Sequence, residues 1–157
     1  MIVCLDKLTG TDVWKAAVPD FGTAGKPGAG YASIVISEAA GVKQYVQLVG
    51  RGVIGVRAGD GKLLWTYNRI ANGVANIPTV IPSGDHIFTS SGYDDGGSAL
   101  LELTAEGDGV AAKEVYYFDN KQLQNHHGGM VLIGKTLYFG HGHNKGFPVA
   151  VDLETGK

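Results

Sequence analysis

Short apolar runs broken by glycine turns organise the chain. Residues 53–68, VIGVRAGDGKLLWTYN, set Val53, Ile54 and Val56 before a Gly59-Asp60-Gly61 break and Leu63, Leu64, Trp65 and Tyr67 after it. Two β-branched or aromatic runs flanking a turn that supplies positive φ predict a hairpin. The pattern recurs. VCLDKLTGTDVW at residues 3–14 places Gly10 and Trp14 at the same offset of 51 residues from Gly61 and Trp65. AVDLETGK at residues 150–157 puts Gly156 in the place of Gly61 at an offset of 95. Between them LLELTAEGDGVAAKEVYY, residues 100–117, is a degenerate copy with a longer, acidic turn and Tyr116 where a tryptophan would stand. No stretch of helical length repeats at i, i+3, i+4. Residues 110–115 alone tolerate a helix, and they fall where the period demands a strand.

A hairpin every roughly 47 to 51 residues is the length expected of a four-stranded β-propeller blade. The expected fold is therefore all-β, a single segment over residues 1–157 of a β-propeller with about three four-stranded antiparallel blades. Residues 1–18 form the outer hairpin of a partial blade, and the Gly/Pro-rich residues 19–30 form a loop. A blade at 31–68 has strands at 31–37, 44–49, 53–58 and 63–68. A second at 77–119 has strands at 77–81, 86–90, 99–104 and 113–118. An incomplete blade at 128–157 has strands at 130–133, 136–140 and 149–153. Rings usually hold four to eight blades, so missing blades or additional copies of the chain are the expected partners, with exposed strand edges at both ends.

Composition narrows the function. Glycine supplies 25 of 157 residues, with 5 prolines and no short-period repeat, which suits many tight turns. A net charge of −2 gives nucleic acid no bulk electrostatic attraction. The single cysteine, Cys4, cannot form an internal disulfide. No apolar run approaches the about 18 residues of a membrane span, and MIVCLDKLTG enters a strand pattern at once, unlike a signal peptide.

The pattern V-x-L-D-x-x-T-G-x-x-x-W (Val3, Leu5, Asp6, Thr9, Gly10, Trp14), repeated as VRAGDGKLLW and VDLETGK, resembles the repeat of the PQQ-like, quinoprotein-type β-propellers. Residues 50–81 and 125–157 are similar to a planctomycete-type bacterial branch labelled after alcohol or polyvinyl-alcohol dehydrogenases. The resemblance implies that the turn glycine and the tryptophan, here Trp14 and Trp65, dock neighbouring blades together, and that the protein is periplasmic or secreted. It admits two functions, a non-catalytic binding or scaffolding propeller and a PQQ-dependent alcohol dehydrogenase. The enzymes would imply PQQ with calcium, an aspartate base, an arginine near the quinone and often an adjacent cysteine pair, which Cys4 alone does not supply.

In a propeller, the loop leading into each innermost strand and the loop between second and third strands emerge on one rim. That rule sets Asn125, His126 and His127 beside His141, His143 and Asn144, four of the five histidines on one rim. Three readings stay open: polar side chains pinning a glycine-rich loop, an organic ligand or cofactor rim, and a metal held by His126, His127, His141 and His143. His86, at a strand start, reads as a turn residue. Tyr31 and Arg51 fall on the first blade's rim and Asn72, Asn76, Tyr93, Asp94 and Asp95 on the second's. Arg51 suits a carboxylate or phosphate, or a salt bridge to Asp94 or Asp95. The candidate cofactor-binding set is Arg51, Asn76, Tyr93, Asp94, His126 and His127, facing a protein or small-molecule ligand. No catalytic residue emerges, since nucleophile elbow, phosphate loop and dinucleotide fingerprint are all lacking.

Overall fold

The computed structural model describes residues 1–157 and is all-β, with a single 3₁₀ turn at Ala39–Gly41. Its strands form four antiparallel sheets in chain order. The first pairs β1 (Ile2–Leu5) with β2 (Asp12–Ala16). The second runs β3 (Val35–Ser37), β4 (Gln44–Val49), β5 (Gly52–Arg57), β6 (Leu63–Tyr67). The third runs β7 (Ile81–Ser83), β8 (His86–Ser91), β9 (Gly97–Glu106), β10 (Gly109–Asp119), and the fourth β11 (Val131–Ile133), β12 (Thr136–His141), β13 (Phe147–Asp152). Each strand pairs with the next in sequence, so every sheet is a meander.

The recurring turn has a local cause. In DKLTG, the Asp6 carboxylate accepts hydrogen bonds from the Leu8 and Thr9 amides and the Thr9 hydroxyl, and the Gly10 amide closes on Asp6 O at 2.8 Å. Asp152 repeats this with the Thr155 amide and hydroxyl, and Gly156 closes on Asp152 O at 2.8 Å. These bonds hold both carboxyls below the ordinary aspartate range. Gly10, Gly61 and Gly156 have φ of 72°, 73° and 72°, left-handed backbone that a Cβ disfavours.

A bulge recurs with the turn. Val13 is skipped between Cys4↔Trp14 and Leu5↔Asp12, Leu64 between Gly55↔Trp65 and Val56↔Leu63, and Val115 between Glu114↔Leu101 and Tyr116↔Leu100. The residue after each bulge is the large aromatic: Trp14, Trp65, Tyr116. A bulge re-aims the side chain beside it. Trp14 lies on Gly61 of the second sheet, where a Cβ would sit 2.5 Å from its ring, and its indole donates to Ala58 O at 3.1 Å. Tyr116 and Phe118 cover Gly156 of the fourth sheet likewise, and the Tyr116 hydroxyl donates to Leu153 O at 2.9 Å.

Trp65 departs from the expected docking on a turn glycine. It crosses Gly55 within its own sheet and donates to Gln44 Oε1 at 2.6 Å, both groups buried. The next turn, Glu106-Gly107-Asp108-Gly109, leaves Gly107 uncovered, and Lys62 reaches the Asp108 carboxylate while Arg57 reaches its carbonyl. Trp65 still joins the core between second and third sheets, with Leu48, Val53, Ile87, Leu101, Leu103 and Val110. Further along this junction Glu114 accepts the Tyr67 hydroxyl and pairs with Arg69, whose guanidinium lies 3.9 Å from the Tyr117 ring centre. Burial and the Glu114 carboxylate push the Tyr67 phenol far above its ordinary range. Ile2, Ala16, Ile54 and Val56 fill the junction between first and second sheets, and Phe88, Leu100, Leu137 and Val151 that between third and fourth.

The strand expected at 77–81 is displaced to Ile81–Ser83, an edge strand in which Pro82 stands opposite Ile87. The first strand of the preceding sheet is likewise confined to Val35–Ser37. The acidic turn near residue 108 is shorter than expected, since β9 and β10 pair up to Glu106↔Gly109.

Trp65→Ala should cost about 3 to 5 kcal/mol in denaturant unfolding, by cavity formation and loss of the Gln44 bond; a near-neutral change would contradict the assigned burial. Gly61→Ala should cost about 1 to 3 kcal/mol more than Gly10→Ala. The two glycines share their φ, but a Cβ at Gly10 meets nothing within 4 Å.

Candidate functional site

The segments joining the sheets interlock along one side. Arg51, in the β4–β5 turn, is committed to the 19–30 loop: it pairs with the Asp20 carboxylate at 2.7 Å and 3.2 Å and donates to the carbonyls of Thr23, Ala24 and Gly25. The salt bridge expected with Asp94 or Asp95 is therefore corrected to Asp20, because residues 20–25 fold back over that turn. Asn76 is buried and donates to Gly50 O and Asn72 O, while its own amide oxygen accepts from the Asn72 amide. Asp95 caps the Gly73 amide at 3.0 Å, and the Asp94 carbonyl accepts from Asn120. Arg51, Asn76 and Asp95 thus brace backbone with their side chains, whereas Asp94 is engaged through its main-chain carbonyl.

Tyr93 has a different setting. It takes φ of 66° in the β8–β9 turn, a left-handed conformation that costs a non-glycine residue of order 1 kcal/mol or more. Its ring lies edge-on to His126, with centroids 4.5 Å apart, and 5.3 Å from His143. His126 is the middle ring of a stack, 3.7 Å from His127 and 4.2 Å from His143, tilted by 21° and 22°. Beneath it runs Gly92, where a Cβ would fall 2.6 Å from the imidazole. A bridge between Asn125 and His141 ties the segment leading into β11 to the end of β12. The structure thus brings together Tyr93, Asn125, His126, His127, His141 and His143, and leaves Arg51 and Asn76 in a separate cluster.

Each histidine's freedom follows from its bonds. His141 Nδ1 accepts the Gln124 amide at 3.1 Å. His126 Nδ1 contacts the His143 carbonyl, which can only accept, so the proton sits on Nδ1. His126 Nε2 is buried without a partner, as are both amide atoms of Asn125 and Gln124 Oε1. The Asn125 main-chain amide, by contrast, donates to Ser90 Oγ at 2.7 Å, which also accepts from Ser98. No three His, Cys, Asp or Glu side chains converge as a metal-ligand group, and parallel stacked rings aim their in-plane nitrogens along separate layers. The four-histidine metal set does not form here.

The sequence rule grouped all four histidines; His126, His127 and His143 stack while His141 stands beside them, bridged to Asn125, and Ser90, Ser98, Gly92 and Lys145 it missed. Gly92 stands next to Tyr93 in sequence, but no one-dimensional signal tells that a glycine underlies an imidazole from another segment. Lys145 lines a cleft of about 300 Å³ with His126, His127, Gly128, His143 and Asn144, without any hydrophobic lining residue. No protein-family model matches the chain, and no curated protein matches it.

Desolvation, the neighbouring imidazoles His127 and His143 adding to it, lowers the His126 pKa from its ordinary 6.5. The folded state then binds fewer protons than the unfolded chain, so this contribution to stability is complete above pH 6.5 and is lost as pH falls through the folded value. Urea unfolding should show a falling midpoint between pH 7.5 and pH 5, with a flatter profile in His126→Phe; an unchanged profile would contradict the assignment.

Proposed function

We propose that the four sheets are consecutive blades of a PQQ-like β-propeller and that the segment is a binding or scaffolding module of a larger ring. The ring is completed by further blades or further copies of the chain, and its rim meets a protein or small-molecule ligand. One observation carries the reading: the same bulge precedes Trp14, Trp65 and Tyr116, and Trp14 caps the left-handed turn glycine Gly61 of the following sheet while Tyr116, with Phe118 nearer the glycine, covers Gly156 after the last strand. Recurrence of an unusual backbone feature at one place in three sheets marks them as copies of one unit. Consecutive sheets packed through apolar seams, with an aromatic dock at two of the three junctions, support a blade array. The bacterial, periplasmic or secreted setting rests on the resemblance alone.

A quinone with calcium does not fit the residues present. Arg51 is bound to Asp20 and three carbonyls, Asn76 is buried among backbone groups, and Asp95 caps Gly73. Calcium takes 6 to 8 oxygen ligands, and no carboxylate cluster gathers here. The binding reading therefore stands ahead of the dehydrogenase.

Negative-stain electron microscopy of the full-length gene product should show a disc with a central channel, and a compact particle without one would overturn the propeller. PQQ with calcium, added to the same protein at micromolar concentration, should leave tryptophan fluorescence unchanged and support no dye-linked alcohol oxidation. Saturable quenching with turnover would replace the scaffold by the enzyme.

A further inference from the structure

We propose that the open faces of the first and fourth sheets are the two halves of one interface, through which the fourth sheet of one copy of the chain packs on the first sheet of a second copy. The inference deepens the scaffolding reading and rests on it in taking the sheets as copies of one unit.

Strand register sets the sheets on a common frame. The residue opposite the aromatic that follows each bulge is Cys4, Gly55 and Leu100 in the first three sheets. Ala150 is its counterpart in the fourth, standing before Gly156 at the spacing of Gly55 before Gly61 and Cys4 before Gly10. The cross-strand row through this position is Val35, Val46 and Gly55 in the second sheet and Ile81, Phe88 and Leu100 in the third. Both rows pack on the sheet that follows, and Val46 and Phe88 are each 0% exposed. In the fourth sheet the same row is Val131, Tyr138 and Ala150, and it is open, with Val131 56% and Tyr138 45% exposed. An apolar row that is covered in both preceding sheets marks an interaction surface in the third.

The internal junctions also show what covers such a row. A following sheet presents the residues on either side of the framed position: Ile54 and Val56 face the first sheet, and Val149 and Val151 face the third. It presents a left-handed turn glycine as well, Gly61 under Trp14 and Gly156 under Phe118 and Tyr116. The first sheet carries these parts and leaves them uncovered. Val3 and Leu5 flank Cys4 on the face turned away from the second sheet and are 40% and 52% exposed. Gly10 shares the φ of Gly61, and a Cβ there meets nothing within 4 Å. Lys15, opposite Val3, is paired with Asp12, so its charge is balanced.

The two open faces are therefore of opposite kind, and copies meet head to tail in continuation of the internal junctions. Such a contact is heterologous and either closes into a ring or runs on as an open array. A two-fold contact would set like faces together and leave Gly10 bare.

Sedimentation velocity of the chain from micromolar to millimolar concentration should show reversible association, and the Val3, Gly10 and Tyr138 amide resonances should shift with it. Leu5→Asp and Tyr138→Asp, both at exposed positions, should each weaken association about tenfold while leaving the unfolding midpoint unchanged. An equimolar mixture of the two variants should form a dimer of one copy of each and stop there, because each keeps one intact face of opposite kind. Monomers at every concentration, association that either variant leaves unchanged, or a mixture that recovers nothing would each overturn the proposal. Protection of Tyr138 from nitration in a monomeric full-length gene product would overturn it too, a segment of the same chain then being the occupant. Head-to-tail association into an open array would keep this interface and sink the ring, whereas discs built from one chain each would keep the ring and sink the interface.

Discussion

An aromatic ring laid on a bare turn glycine sets the geometry from which the rest follows. The contact needs three things at once: a left-handed glycine, a carbonyl three residues before it, and a bulge one sheet earlier that aims the ring. Trp14 with Gly61 and Ala58 O has all three, and at Gly156 the parts are shared, Phe118 lying nearest the glycine while Tyr116 beside it donates to Leu153 O. The glycine admits the ring to backbone distance, and the indole or phenol keeps its polar atom bonded where it is buried. At the middle junction the same aromatic position turns inward to Gln44, and charge takes over at the turn, with Arg57 and Lys62 on Asp108. A glutamate also enters that seam, satisfied from two sides by Tyr67 and Arg69.

Docked sheets bring their connecting segments into register, and the rim is a consequence. The turns between second and third strands touch the segments that lead into sheets: Gly50 with Asn76 and Gly92 with His126 reach the segment entering the next sheet, and Asp95 with Gly73 the one entering its own. Most of these contacts are saturated, which makes them braces. The histidine stack is the exception, because its polar atoms outnumber their partners. Functional interest follows the unsatisfied groups rather than the charged ones; Arg51, the boldest candidate by residue type, is the most thoroughly engaged.

The hairpins were legible because glycine turns and alternating apolar residues act locally, and DxxTG encodes its own hydrogen bonds through Asp6 and Thr9. The grouping of Asn125, His126 and His127 with His141 and His143 was legible too, from the repeat and a rule about which loops share a rim. The bulges were not, since Val13, Leu64 and Val115 look like ordinary strand residues and only the partner strand reveals the skip. The fate of Arg51 was hidden for a similar reason: residues 19–30 carry no periodicity, so nothing in the sequence says that they fold over it. The strand expected at 77–81 forms at Ile81–Ser83 instead, and the β-branched residues before it give no local sign of the shift.

Because every sheet leans mainly on its two neighbours, the molecule is mechanically a row of laminae. The second and third sheets each share an apolar seam with the sheet before and the sheet after. In such a row, coupling is a nearest-neighbour property. The two-stranded first sheet is held to the second by Trp14 and a small apolar seam, and loosening that seam would uncover Gly61 and Tyr45 while leaving the histidine stack, at the junction of the third and fourth sheets, unaware of it.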